Sequence, residues 1–82
     1  MSKKKVDISG LTDTQINVLK AFAKNDMNIA ATAAAMYLTR GTVVYHIEQI
    51  HDKTGVNPHS FYGLVHLLIT IKKKEGIKNA HK

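Results

Sequence analysis

Asn28-Ile-Ala-Ala-Thr-Ala-Ala-Ala-Met-Tyr-Leu-Thr-Arg-Gly-Thr-Val-Val-Tyr-His-Ile-Glu-Gln-Ile-His-Asp-Lys-Thr-Gly55 is the stretch on which the fold turns. Asn28 suits a helix N-cap, because its side-chain oxygen accepts from a backbone N–H of the first turn. The alanines that follow favour helix and let a second helix come close, which predicts a short helix over residues 29–36. Tyr37-Leu38 interrupts it, and Thr39 with Thr42 marks a new N-terminus. Val43, Ile47, Ile50 and Thr54 then recur at helical spacing, one buried stripe of a helix over residues 40–54, and Gly55 follows as its C-terminal cap. Two helices joined by a turn of about three or four residues, the second longer and partly polar, make the helix-turn-helix pattern. Tyr37 and Leu38, both in the turn, are expected in the core.

The flanks add two more helices. Thr12 and Gln15 form a capping box, with Leu11 and Ile16 as the hydrophobic staple around it. Ile16, Leu19, Phe22 and Ala23 continue at helical spacing and predict a helix over residues 13–25. Asn57-Pro58 reads as a cap followed by proline at the first helical position, so a fourth helix is expected over residues 58–74. No alternating strand pattern competes. The expected fold class is all-α, a four-helix helix-turn-helix domain at residues 11–74. A disordered basic arm is expected at residues 1–10 and a basic tail at residues 75–82.

Charge is distributed unevenly along the 82 residues. Twelve Lys plus Arg face six Asp plus Glu, a formal net charge of +6. Lys3, Lys4 and Lys5 lie at one end, and Lys72, Lys73, Lys74, Lys78 and Lys82 at the other. Between them Lys20, Lys24, Arg40 and Lys53 oppose Asp7, Asp13, Asp26, Glu48 and Asp52, so the body is nearly neutral. Basic ends on a neutral body suit a polyanion, with double-stranded DNA first and a membrane surface disfavoured because no helix face interleaves lysines with apolar residues. The absence of cysteine excludes disulfides and thiolate zinc sites, and a cytoplasmic location fits. No apolar run approaches the roughly 18 residues of a membrane span, and no hydrophobic segment follows the N-terminal lysines as in a secretory signal.

Enzymatic chemistry has little material here. No paired carboxylates, nucleophile–base pair or glycine-rich phosphate loop stands out, so the chain is expected not to be an enzyme and to need no cofactor. His46 and His51 are five positions apart, which misses the i, i+4 spacing of a helical zinc pair. His59 and His66 could share a face, but no carboxylate joins them. No metal site is expected.

The quoted stretch resembles the C-terminal DNA-binding domain of PucR-type and sugar-diacid transcriptional regulators. Asn28, Thr32, Ala33, Arg40, Thr42, Val43, Tyr45, Ile50, Thr54 and Gly55 match that pattern without a gap. Leu11-Thr12, Val18-Leu19, Thr42-Val43, His46, Ile50, Lys53 and Gly55-Val56 are similar to LuxR-type response-regulator tails. Both resemblances imply a DNA-binding transcription regulator, and the second implies a third helix that enters the major groove and a fourth helix that forms a dimer contact. Members also carry a sensor domain, for which a chain starting at Met1 is expected to have no room. Both families place more Arg or Lys on the third helix, where this chain has Gly41, Val44, Glu48 and Gln49.

On that helix the buried stripe leaves Arg40, Gly41, Val44, Tyr45 and Glu48 to face a partner, and the first turns of a recognition helix meet the base edges. Arg40 suits guanine or phosphate, Val44 a thymine methyl group, and Glu48 a cytosine amino group. Gly41 permits close backbone approach. Thr39 and Thr42 hydroxyls, with the helix N-terminus, suit a phosphate, as do Lys3, Lys4, Lys5, Lys72 and Lys73. Plainer roles compete: Arg40 as a solvated first-turn residue, Thr39 and Thr42 as a cap only, Tyr45 packed on the second helix.

The fourth helix is apolar over more than about 200° of its circumference, against the roughly 100° that a monomer core needs. Either Leu64, Leu67 and Ile71 or Tyr62, Val65 and Ile69 are therefore expected at a homodimer interface, which would set two third helices about 34 Å apart. The alternative is that residues 6–8 and the first helix cover both flanks. The expected function is a sequence-specific DNA-binding transcriptional regulator. The alternative is a protein-interaction module docking on another regulator or polymerase subunit.

Overall fold

Side-chain and backbone caps set the limits of the helices. The computed structural model describes residues 6–79, and side chains as far as residue 76, so Lys3, Lys4, Lys5 and Lys82, and the side chain of Lys78, fall outside its description. Four helices, α1 (Asp13–Lys24), α2 (Ile29–Met36), α3 (Arg40–Thr54) and α4 (Phe61–Asn79), make up the regular structure, with no strand among the described residues. The fold is all-α, as the hydrophobic spacing required.

The α1 capping box is complete: Gln15 N–H donates to Thr12 Oγ1, and Thr12 N–H donates to Gln15 Oε1, each at 3.1 Å. Lys53 Nζ, in the last turn of α3, donates to the same Gln15 Oε1 and to the Gly10 carbonyl, both at 3.0 Å. The end of α3 is thereby tied to the start of α1.

The ends of α1 and α2 share one hydrogen-bond pattern. Met27 N–H reaches the Phe22 carbonyl at 2.7 Å and Asp26 N–H the Ala23 carbonyl at 3.2 Å. Leu38 N–H reaches the Ala33 carbonyl at 2.9 Å and Tyr37 N–H the Ala34 carbonyl at 3.3 Å. This is the Schellman arrangement, which puts one residue in the left-handed region and returns the next toward the helix. Asp26 (φ 56°) and Tyr37 (φ 58°) occupy the left-handed position; Met27, itself at φ 64°, and Leu38 follow them and pack against the core. Asn28 and Thr39 cap α2 and α3 through the N–H groups of Ala31 and Thr42. Gly55 closes α3 at φ 76°, where a side chain would be strained.

The fourth helix departs from its expected bounds of 58–74 at both ends. Asn57 Oδ1 accepts from His59 N–H at 2.9 Å, and Ser60 N–H donates to the Asn57 carbonyl at 3.2 Å. Asn57-Pro58 therefore begins a turn, with Pro58 buried. Ser60 is the residue that accepts from the helix, through its Oγ from Gly63 N–H and its carbonyl from Leu64 N–H. At the other end α4 continues to Asn79, so the expected tail is helical over residues 75–79.

Packing centres on α1, which meets α2, α3 and α4, while α2 and α3 pack on each other. Val18, Leu19 and Phe22 of α1 meet Val43, Ile47 and Ile50 of α3 on one side, and Leu64, Leu67 and Ile71 of α4 join the same core. Ile8 completes it, so the expected arm of residues 1–10 contributes an anchored apolar side chain. Gly63 makes the approach of α4 possible: a Cβ there would sit 2.2 Å from the Asn57 carbonyl oxygen. Lys20 of α1 also bridges to Glu75 of α4 at 2.8 Å, an exposed ion pair of roughly 0–1 kcal/mol.

Candidate nucleic-acid interface

Three residues separate α2 from α3, and the start of α3 at Thr39, Arg40 and Gly41 is exposed. Val43, Ile47 and Ile50 are fully buried, which fixes the helix about its own axis. Arg40, Gly41, Tyr45 and Glu48 are then exposed, and Val44 is half-buried at the edge of the packed face. Val44 was expected to be open to solvent; its neighbours cover part of it, leaving a smaller apolar surface.

Thr39 Oγ1 accepts from Thr42 N–H at 3.1 Å and shares a hydrogen bond with Thr42 Oγ1 at 2.9 Å. The cap thus satisfies the third N–H of the helix. The Arg40 and Gly41 N–H groups precede it at the positive end of the helix dipole, and no acid occupies this first turn. Glu48 and Asp52 stand later on the helix, and His51 and Lys53 lie in its last turn. An incoming polyanion therefore meets Arg40 and bare helix end first, and negative charge farther along. That polarity favours approach by the first two turns.

Gly41 has room to spare. A Cβ at this position would find nothing nearer than Thr39 Oγ1 at 4.0 Å. A helical glycine costs about 1 kcal/mol relative to alanine, and intramolecular packing does not require it here. Tyr45, four residues on from Gly41, is 57% exposed and meets His46 edge-on at 5.5 Å.

Tyr37 corrects an expectation. It is 95% exposed, not in the core, whereas Leu38 packs inward as expected. The Schellman turn explains the pair: the left-handed residue projects outward and its successor inward. The Ala-rich helix followed by aromatic-then-aliphatic carried this signal, since the residue one past a helix end is the usual left-handed position.

Lys72 and Lys73 are exposed on α4, which packs against α1 and not against α3 among the described residues. They stand apart from Arg40. The roots of the two lysine-rich ends nevertheless share one edge, where Ile8 and Ser9 line a common hollow with Ile71 and Lys74. Asp7 also lies there. Its carboxyl is held below the ordinary range first by the Ser9 hydroxyl at 2.7 Å, then by the Ser9 N–H, with a smaller pull from Lys74.

Of the residues expected at a dimer contact, Leu64, Leu67 and Ile71 are buried in the core and are removed from the surface. Tyr62 is 83% and Ile69 50% exposed, with Val65 half-buried between them. Phe61 (64% exposed) and Leu68 widen this strip, which borders a groove over Ala23 and Met27.

No group of three or more metal-ligating side chains occurs among the described residues. Among the same residues, no helix is long and apolar enough to cross a membrane.

Residues 15–72, more than half of the chain, match the family model of the PucR C-terminal helix-turn-helix domain. The chain belongs to that family. No curated protein and no solved structure matches it. A PucR-type helix-turn-helix domain points to DNA-binding transcription regulation, and its family is typically non-enzymatic. In this PucR-type domain the matched span runs from the buried Gln15 to Lys72, and so takes in the whole α2–turn–α3 unit.

Proposed function

We propose that this PucR-type domain is a sequence-specific regulator that reads double-stranded DNA with α3 and binds as a homodimer through α4. The observation that carries the reading is the start of α3: an exposed, acid-free helix end bearing Arg40 and Gly41, capped by Thr39. Arg40 contacts guanine or phosphate, Val44 a thymine methyl, and Gly41 lets the backbone come near the base edges. Tyr45 flanks that contact, and Glu48 either accepts from a cytosine amino group or marks where the groove contact ends. Thr39 and Thr42 sit beside a phosphate, and Lys3, Lys4, Lys5, Lys72 and Lys73 neutralise phosphates from outside the groove.

The dimer rests on the apolar strip of Tyr62, Val65 and Ile69, which continues to Phe61 and Leu68. Such a strip is a liability in a monomer, whereas a two-fold contact buries it twice. A second reading, a module that docks on another regulator or polymerase subunit, is favoured by one observation. The body between residues 6 and 71 holds four bases and five acids, poor in charge for a DNA-binding surface.

Selection of bound sequences from random duplex DNA separates the two. A recovered motif with two-fold symmetry is expected from the native chain. Arg40→Ala should relax the preference at one position, by roughly 1–3 kcal/mol if its contact is bidentate, and Val44→Ala by less. Recovery of no motif, or of the same motif at equal strength from both variants, would remove α3 from this role.

A further inference from the structure

Tyr37 combines two features that folding alone does not reward. Its backbone is left-handed (φ 58°, ψ 41°), at a helix-end position ordinarily taken by glycine and sometimes by asparagine. Its side chain is 95% exposed, and its hydroxyl makes no hydrogen bond among the described residues. A large aromatic residue there bears the backbone strain and recovers none of it by burial. Strain of this kind at an outward-facing residue is a pointer to a contact made in a complex.

The position within the fold narrows that contact. Tyr37 N–H is engaged with the Ala34 carbonyl, so the turn itself is fixed. Two residues on, Thr39 caps α3, and Arg40 follows. Three residues of chain span no more than about 11 Å, so Tyr37 borders whatever surface receives the first turn of α3. A helix entering the major groove by its N-terminus leaves the preceding turn beside the sugar–phosphate wall. A phenol has one hydroxyl donor and two torsions, which makes it a stiff arm for reaching a phosphate oxygen.

We propose that Tyr37 is a backbone-positioning residue, its hydroxyl donating a hydrogen bond to a DNA phosphate oxygen on the wall of the groove that α3 enters. This rests on the DNA-binding reading above. It adds a neutral contact to a surface where Arg40 is the nearest cation on the same unit. Phosphate contacts of this type set register and orientation without distinguishing sequences.

The test uses the full chain with Tyr37→Phe and Tyr37→Asn, on the duplex recovered by selection and on an unrelated duplex of equal length. Both variants should weaken binding about ten- to 150-fold, and equally on the two duplexes, as expected for one hydrogen bond to a charged acceptor. The log–log salt slope should stay at the wild-type value, because a neutral hydroxyl displaces no counterion. Arg40→Ala, if it removes a phosphate contact, should lower that slope by about 0.9. Tyr37→Asn should melt at or above the wild-type temperature, since asparagine tolerates the left-handed backbone. Wild-type affinity in both variants overturns the proposal and leaves the DNA-binding reading standing. Loss in Tyr37→Asn alone overturns the hydroxyl contact, because the ring would then be the part that matters. A native chain that binds no duplex overturns the DNA-binding reading and this inference together.

Discussion

Ile69→Glu and Leu67→Glu place the same carboxylate two positions apart on α4, with opposite expected outcomes. Leu67 is fully buried, and complete burial of a leucine side chain contributes about 1.5–3 kcal/mol. Glutamate there forfeits that and adds an unpaired buried carboxyl, a further cost of several kcal/mol. A domain of this size has only about 5 kcal/mol in hand, so Leu67→Glu should be unfolded. Ile69 is 50% exposed in the single chain. Its replacement should cost the monomer about 1 kcal/mol, a fall in melting temperature of roughly 4–8 °C.

The dimer would feel Ile69→Glu more strongly. If a partner covers the exposed half of Ile69, each copy loses about another 1 kcal/mol, and the two-fold axis doubles it to about 2 kcal/mol. That raises the dimer dissociation constant roughly 30-fold before any repulsion between the two new carboxylates. Sedimentation equilibrium over a concentration series, with circular-dichroism melting on the same samples, reads both effects. Binding to a two-part site should weaken in parallel, while binding to a single half-site stays near wild type. A native chain that sediments as a monomer at high micromolar concentration refutes the interface. So does an Ile69→Glu dimer of unchanged affinity, and a cooperatively folded Leu67→Glu would refute the core assignment itself.

The two helical glycines give paired predictions. Gly63→Ala puts a Cβ 2.2 Å from the Asn57 carbonyl oxygen and should destabilise by about 1–3 kcal/mol, read by urea unfolding, despite alanine's better helix propensity. Gly41→Ala meets only Thr39 Oγ1 at 4.0 Å and should stabilise by up to about 1 kcal/mol while weakening DNA binding; unchanged DNA affinity would show that no backbone approach occurs there. Neutralising Lys72 and Lys73 as Lys72→Gln and Lys73→Gln should weaken binding to all duplexes alike and lower the salt slope by about 0.9 for each lost phosphate contact. An unchanged slope would take α4 out of the phosphate contact.

What could be read from the residues in order was whatever depends on neighbours within about one helical turn. Thr12 with Gln15, Asn28, Thr39 with Thr42, and Gly55 each act through hydrogen bonds or backbone angles inside their own turn, and all four features are present. The stripe of Val43, Ile47 and Ile50 was legible for the same reason, since helical periodicity alone groups them on one face. Asn57-Pro58 misled because asparagine caps turns and helices by the same Oδ1 contact. Three residues later, Ser60 takes the helix N-terminus, where the approach of α4 to the Asn57 carbonyl leaves room for Gly63 and no side chain.

The sequence by itself determined the four helices, the N-caps of the first three, the buried face of α3 and the exposed Arg40 at its start. Tertiary structure alone decided which flank of α4 is core. Leu64, Leu67 and Ile71 were as apolar as Tyr62, Val65 and Ile69, and only the arrival of α1 with Ile8 on the first set separates them. It likewise covered part of Val44, which depends on how α2 and α3 meet. Local propensity acts over a few bonds of one chain segment, whereas the choice between two equally apolar surfaces is made by residues distant in sequence that reach only one of them.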